Sequence, residues 1–296
     1  MKISLAIEQN VISMSIAIAT TILHPPVFLR QWLDYHLRRV QHILFYLDDP
    51  SERPILEAAC ADRPVSILDG EQNHPEMSPE SRTILRQGTN IQHAVAFLAD
   101  RNYTWLLHID VDELLYEPVP EARSWNLRPE IGCVNFINHE AVPLDRPTRN
   151  PFVDCLYFRL SRRAPFMAYG NGKSAVRIGP DVLPFGPHKF RGFEGELLAP
   201  SGDGAMILHY PTPCFDDWVA KFTHYGRFSD NWYDDPATPN HVTFMLRSRD
   251  VVQAAVESGD WSGARAFFDE QTLDDASIES AIAAGTIRRY TPVAES

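Results

Sequence analysis

The chain has 296 residues and a formal net charge of −12, from 27 Lys and Arg against 39 Asp and Glu. Its 44% hydrophobic and 22% charged residues are ordinary for a chain that buries a sizeable core, and they exclude extensive disorder. The acidic balance excludes a general nucleic-acid binder, which needs positive surface to replace counterions, but it leaves room for a local basic pocket. The length suits one α/β domain or two small ones.

At the N-terminus Glu8 interrupts any leader-like stretch, and residues 1–13 read as an extension because Met14 is an alternative start. The apolar run over residues 11–23 is shorter than the roughly 20 residues that a membrane span needs. No transmembrane segment is expected, and contact with the inner membrane surface is left open. Cys60, Cys133, Cys155 and Cys214 show no CxxC spacing, so they read as buried thiols of a cytoplasmic chain rather than zinc ligands.

Residues 15–20 read as a buried strand, 27–40 as an amphipathic helix entered through Pro25-Pro26, and 42–47 as a second strand ending in Asp48-Asp49-Pro50-Ser51. A short helix (54–61), a third strand (65–68), a long helix (82–100) and a fourth strand (103–109) follow. This alternation predicts an α/β fold with a mostly parallel, doubly wound sheet, which binds ligands at the carboxyl ends of its strands. The second half is less regular. Strands are expected at 132–137, 155–160 and 205–209, loops with short strands over 161–205, a helix over 215–228, and acidic helices from residue 242. Residues 14–240 are expected to form the main domain, with 241–296 a helical segment packed on it.

The strongest chemical signal is Trp105-Leu-Leu-His-Ile-Asp110-Val-Asp112-Glu113. An apolar strand delivers two carboxylates, two residues apart, to its end, where strand periodicity sets both on one side. Paired hard oxygen ligands with open positions suit Mg²⁺ or Mn²⁺ bridged to a diphosphate. Trp32, Tyr35 and Trp105 read as core aromatics, and Glu113 as a residue that braces the site.

Together these segments resemble GT-A glycosyltransferases of the family 2 and family 92 group over about residues 14–230. The resemblance rests on the order of Phe28-Leu-Arg-Gln-Trp32-Leu-Asp-Tyr35-His36, Tyr46-Leu-Asp48-Asp49-Pro-Ser51, the Asp110-Val-Asp112-Glu113 segment, Gly172-Lys173-Ser174-Ala-Val-Arg177, Phe185-Gly-Pro-His188, Leu208-His209-Tyr210, and then Lys221. It implies a nucleotide-sugar donor, by family habit a UDP-sugar, and Mn²⁺ or Mg²⁺ as cofactor. Asp110, Asp112 and His209 would be the metal set, with Asp112 binding directly. Asp48 or Asp49 would contact the nucleoside, and Lys173, Arg177, Lys189 and His188 would face the diphosphate. One departure touches the donor base: where many relatives carry Lys-Asn-Glu, this chain has Leu23-His24-Pro25.

The resemblance further implies an inverting hexosyltransferase acting on a glycan or glycoconjugate acceptor, in work such as surface polysaccharide synthesis. Inversion needs a carboxylate to take the acceptor proton. Glu140, after the strand at 132–137, is the first candidate, and Asp216 and Asp217 follow. A metal-dependent phosphoesterase or nucleotidyltransferase is the competing enzyme class, and it usually needs more carboxylates for two metals. A nucleotide-sugar or glycan-binding protein without catalysis is the third reading.

The charge is unevenly spread. Between Arg159 and Arg191 there are seven basic residues (159, 162, 163, 173, 177, 189 and 191) and one acid, Asp181, whereas nine acids face three basic residues from Asp250 onward. The basic run is expected to serve the diphosphate.

Overall fold

A computed structural model describes residues 14–119, 125, 128–160, 167–202 and 204–293. The 1–13 extension and Arg162 and Arg163 lie outside the described residues.

The chain opens with β1 (Ile16–Ile22), α1 (Leu29–His36), β2 (His42–Leu47), α2 (Arg53–Cys60), β3 (Val65–Asp69), α3 (Pro79–Ala99) and β4 (Trp105–His108). Every residue of β1 is buried, because helices cover both faces of a central parallel strand. Helix α1 is shorter than its apolar pattern predicts. Pro25 and Pro26 precede its first turn, and Leu37 closes it. Ser78 caps α3 by accepting from Ser81 N–H, with Pro79 in the first turn.

Next come β5 (Glu113–Tyr116), β6 (Ile131–Phe136), β7 (Asn138–Ala141), α4 (Pro151–Asp154), β8 (Tyr157–Leu160), β9 (Lys173–Arg177), β10 (Leu183–Phe185), β11 (Lys189–Arg191), β12 (Glu196–Leu198) and β13 (Met206–His209). The chain ends with α5 (Phe215–Tyr225), α6 (Thr243–Ser258), α7 (Ser262–Asp269), α8 (Asp275–Ala283) and β14 (Ile287–Arg289). The tail is therefore not wholly helical: β14 pairs antiparallel with β8, and Tyr290 enters the core behind it.

The main sheet has the order β12-β6-β9-β4-β1-β2-β3. Six strands share one direction, and β9 alone runs against its neighbours β4 and β6. The expected α/β fold is present, a central and mostly parallel sheet flanked by helices. A second sheet has the order β14-β8-β7-β13-β5. Helices α5, α6 and α7 close on their own apolar cluster around Trp218, Phe222 and Phe268.

Helix α1 binds the two sheets together. Strand β5 is an edge strand, with backbone groups that the ladder leaves open. Trp32 Nε1 donates to Glu113 O (2.8 Å), Tyr35 Oη donates to Leu115 O (3.0 Å), and Leu115 N–H donates to His36 Nε2 (3.3 Å). Positions 32, 35 and 36 share one helix face, so a single turn satisfies that edge. His36 Nδ1 donates to Trp32 O, which leaves Nε2 as the acceptor.

Burial pushes His36 down to about 3, and His108 and His139 down to about 4. These rings are neutral in the folded chain and recover the ordinary 6.5 on unfolding, so the unfolded state binds more protons below pH 6.5. The melting temperature, followed by circular dichroism, is expected to fall as the pH drops from 6.5 towards 4. Glu80 and Glu113, both raised by burial to about 7, act in the opposite sense and reduce the slope without cancelling it. In His36→Gln the fall should be shallower; an unchanged slope would remove His36 from the account.

Candidate active site

Strand β4 stops at His108, so Asp110, Val111 and Asp112 lie in a turn rather than on the strand. Glu113 N–H donates to Asp110 O (3.1 Å), and Asp110 N–H donates back to Glu113 Oε2 (2.7 Å). The turn is thus braced by its own glutamate. Both aspartates still line one cavity of about 960 Å³ at the carboxyl end of the main sheet.

Sheet register assembles the next layer. His209 on β13 lies opposite Glu113 on antiparallel β5 and opposite Glu140 on parallel β7. Residues directly opposite one another project to the same face, so the imidazole stands between two buried carboxylates. His209 Nε2 lies 3.6 Å from Asp112 Oδ2, and Nδ1 lies 3.5 Å from Glu140 Oε1. Burial alone would lower the ring, but Asp112, Glu140 and Glu113 together outweigh burial and raise it to about 9.

Lys173 enters from the opposite direction because β9 is the reversed strand. Its first residue reaches the carboxyl end of the parallel strands, and its last residue lies at the other end. Lys173 is 1% exposed, with Nζ 2.6 Å from Asp110 Oδ2 and 3.4 Å from Glu113 Oε2. Burial disfavours the Asp110 charge, yet Lys173 holds its carboxyl well below the usual range. Gly172 before it sits at φ +74°, where a Cβ would meet Phe136 O at 2.1 Å, so only glycine permits this entry. Gln87 Nε2 of α3 donates to the other Asp110 oxygen (3.0 Å). Tyr169 Oη donates to Glu113, and burial with that carboxylate keeps the phenol protonated. His188 Nδ1 donates to Gly172 O (2.9 Å), and burial holds its ring neutral, down at about 3. Lys221 Nζ of α5 stands 4.0 Å from Asp112 Oδ2.

Of the residues singled out from the sequence, Asp110, Asp112, Lys173, His188, His209, Asp217 and Lys221 line this one cavity. Arg177, Lys189, Asp48, Asp49 and Glu140 do not. Arg177 ends β9 on the far side, where its guanidinium donates to Ile131 O and Arg128 O and covers Trp105. Lys189 is exposed on the β10–β11 hairpin. Asp49 accepts from Ser51 N–H as the cap of the 3-10 turn at Pro50–Glu52. Asp48 is spent in a buried pair with Arg86 (2.9 Å), which ties β2 to α3. Glu140 is 1% exposed and accepts backbone N–H groups from Met167, Ala168 and Tyr169. It therefore sits buried beside His209, with its oxygens taken up by these backbone donors. The basic run is divided in the same way: Arg159 turns to Gln271 O, and Arg191 is exposed.

Sequence reasoning passed over Glu80, Gln87 and Tyr169. The first two had a signal, since Glu80, Thr83, Ile84 and Gln87 follow helical spacing along the cavity wall. Tyr169 lies outside any strand or helix and had none.

Among the described residues, no three His, Cys, Asp or Glu side chains are grouped to hold a metal by themselves. The expected trio is divided, because Asp110 turns to Lys173 and Gln87. Asp112 and His209 do converge. A carboxylate and an imidazole whose other nitrogen faces a carboxylate form a donor pair of the kind that Mn²⁺ accepts, with a phosphorylated ligand and water completing the shell. The Asp112–His209 pair fits such an ion.

No family model matches the chain. Two glycosyltransferase-like proteins of Arabidopsis thaliana are similar to it: one is 25% identical over 161 residues, 46% of this chain and 31% of that protein, and the other 26% over 163 residues, 46% and 36%. The chain thus spans about a third of the length of these curated relatives. Among solved structures, residues 1–349 of Staphylococcus aureus TarS align over 92% of this chain and 79% of that chain, at 8% identity and a TM-score of 0.37. A glycosyltransferase involved in glycosylation of the PBCV-1 major capsid aligns over 55% and 59%, at 12% identity and a TM-score of 0.26.

Lys173 is the buried cation shared by Asp110 and Glu113, and removing one partner of a buried ion pair costs about 3–5 kcal/mol. Lys173→Met is expected to lower unfolding stability by an amount in that range, measured by urea denaturation. Stability equal to the parent chain would mean that the two carboxylates do not depend on the lysine.

Proposed function

We propose that the protein is a glycosyltransferase that moves a hexose from a nucleotide-sugar donor to a glycan or glycoconjugate acceptor. The observation that carries this reading is the single cavity that joins the Asp110-Val111-Asp112 turn, His209, Lys173 and Lys221 at the carboxyl end of a mostly parallel sheet. Ligands of such sheets bind at that end. The similarity to the two plant proteins supports the same class, and so do the motifs shared with the family 2 and family 92 group.

In this reading Asp112 and His209 hold a divalent cation, Mn²⁺ in preference to Mg²⁺ because of the imidazole. When bound, such an ion would supply positive charge for a diphosphate leaving group. Lys221 adds positive charge beside Asp112, while Lys173 fixes Asp110. Glu140 keeps Nδ1 of His209 engaged, so that Nε2 faces the ligand. Asp217 takes over the role first expected of Glu140. It lines the cavity, burial raises its carboxyl above the ordinary aspartate value, and Cys214 Sγ lies 3.1 Å from Oδ2. In an inverting reaction Asp217 would accept the acceptor hydroxyl proton. UDP is the expected nucleotide of the donor.

Thermal shift with UDP or GDP, with and without Mn²⁺, tests the binding. Stabilisation that requires Mn²⁺ and is lost in Asp112→Ala is expected; at about 100 times Kd it amounts to about 2.7 kcal/mol. No nucleotide effect with metal would sink the reading. Binding should also weaken as the pH falls below about 9, because His209 must lose its proton to meet a metal. Asp217→Asn is expected to lower kcat by about 10²-fold or more with little change in KM. Full turnover in that variant would return the search for the base to other carboxylates.

A further inference from the structure

Glu80, in the first turn of α3, is 3% exposed and lines the same cavity. Its Oε2 accepts from Ser81 Oγ (3.1 Å), and its Oε1 has no partner. The other carboxylates that line the cavity are engaged: Asp110 by Lys173, Asp112 by His209 and Asp217 by Cys214. An enclosed acceptor left open is costly, because it has given up water without a replacement donor. The charge acting most on Glu80 is Asp234, which has the same sign, and burial pushes the carboxyl up to about 7.

Its place along the cavity indicates what donor is missing. Gln87, on the same face of α3, reaches Asp110 at the phosphate end. Seven residues of helix set Glu80 about 10 Å further out, the reach of a ribose and a base beyond a diphosphate. Tyr225, Trp232 and Tyr233 line the cavity there, and Glu80 raises both tyrosine phenols, so its carboxyl stands beside them. Aromatic faces with a carboxylate at their edge suit a flat heterocycle that presents an N–H.

We propose that Glu80 reads the base of the donor nucleotide by accepting its ring N–H, which selects uracil or guanine over cytosine and adenine. This rests on the reading of the cavity as a nucleotide-sugar site. Uracil and guanine carry a ring N–H on their pairing edge, whereas cytosine and adenine present a bare ring nitrogen that a carboxylate repels.

Calorimetric titration of the full chain with Mn²⁺ and UDP, GDP, CDP, ADP or pyrophosphate tests the assignment, with N3-methyl-UDP as the blocked base. UDP or GDP should bind at least 10-fold more tightly than CDP and ADP. N3-methylation of UDP should cost at least 10-fold in the parent chain and nothing in Glu80→Met. That variant should lose about 10-fold for UDP or GDP while binding pyrophosphate as before. Glu80→Gln, which exchanges one acceptor for a donor, should change the ranking of the bases and serves where Glu80→Met melts early. Three results overturn the proposal: nucleotide affinities unchanged in folded Glu80→Met, an equal N3-methyl penalty in both proteins, or lost turnover with intact nucleotide binding. Failure of every nucleotide and of pyrophosphate to bind would instead remove the nucleotide-sugar reading itself.

Discussion

The site depends on how buried negative charge is held. Asp110, Asp112, Glu113 and Glu140 crowd around one imidazole and one ammonium group. Bare carboxylates in such a place would protonate or force the strands apart. Lys173 answers two of them and His209 the other two, and register does the positioning. Strand β13 lies between β5 and β7 with His209 level with a glutamate on each side. A one-residue slip of β13 would send the imidazole to the opposite face and take it away from Asp112 and Glu140. The balance of buried charge and the pairing of the sheet are therefore one constraint.

Much of this was legible in the sequence. The apolar strand running into Asp110-Val111-Asp112-Glu113 announced both its carboxylates and its position, because strand ends and acidic turns carry local signals. Lys173 and His209 were also legible, the first from its glycine-led segment and the second from its strand-end position. Glu113 was expected to brace the site, and its bond to the Asp110 N–H does so.

What the sequence left hidden was direction and pairing. Nothing local marks β9 as the reversed strand, yet that reversal carries Lys173 to the cavity end of the sheet and Arg177 to the opposite end. Glu140 looked like a loop carboxylate because Asn138-His139-Glu140 is polar. It is a strand residue, and its oxygens are consumed by backbone donors about 28 residues further along the chain. Asp48 followed a strand as a nucleoside contact should, but its partner Arg86 lies 38 residues away on a helix. Each of these errors comes from a long-range partner that no window of sequence contains.

The contact between α1 and the edge strand β5 has a kinetic consequence. Its three hydrogen bonds join residues 81, 80 and 79 positions apart. Contacts at such separations carry a large loop-closure cost and form slowly. The backbone that holds Glu113, and through it the Asp110 turn, is anchored by these contacts. During synthesis α1 must wait for β5 to emerge and return to it, so the carboxylate turn is set only when the chain closes on its own beginning.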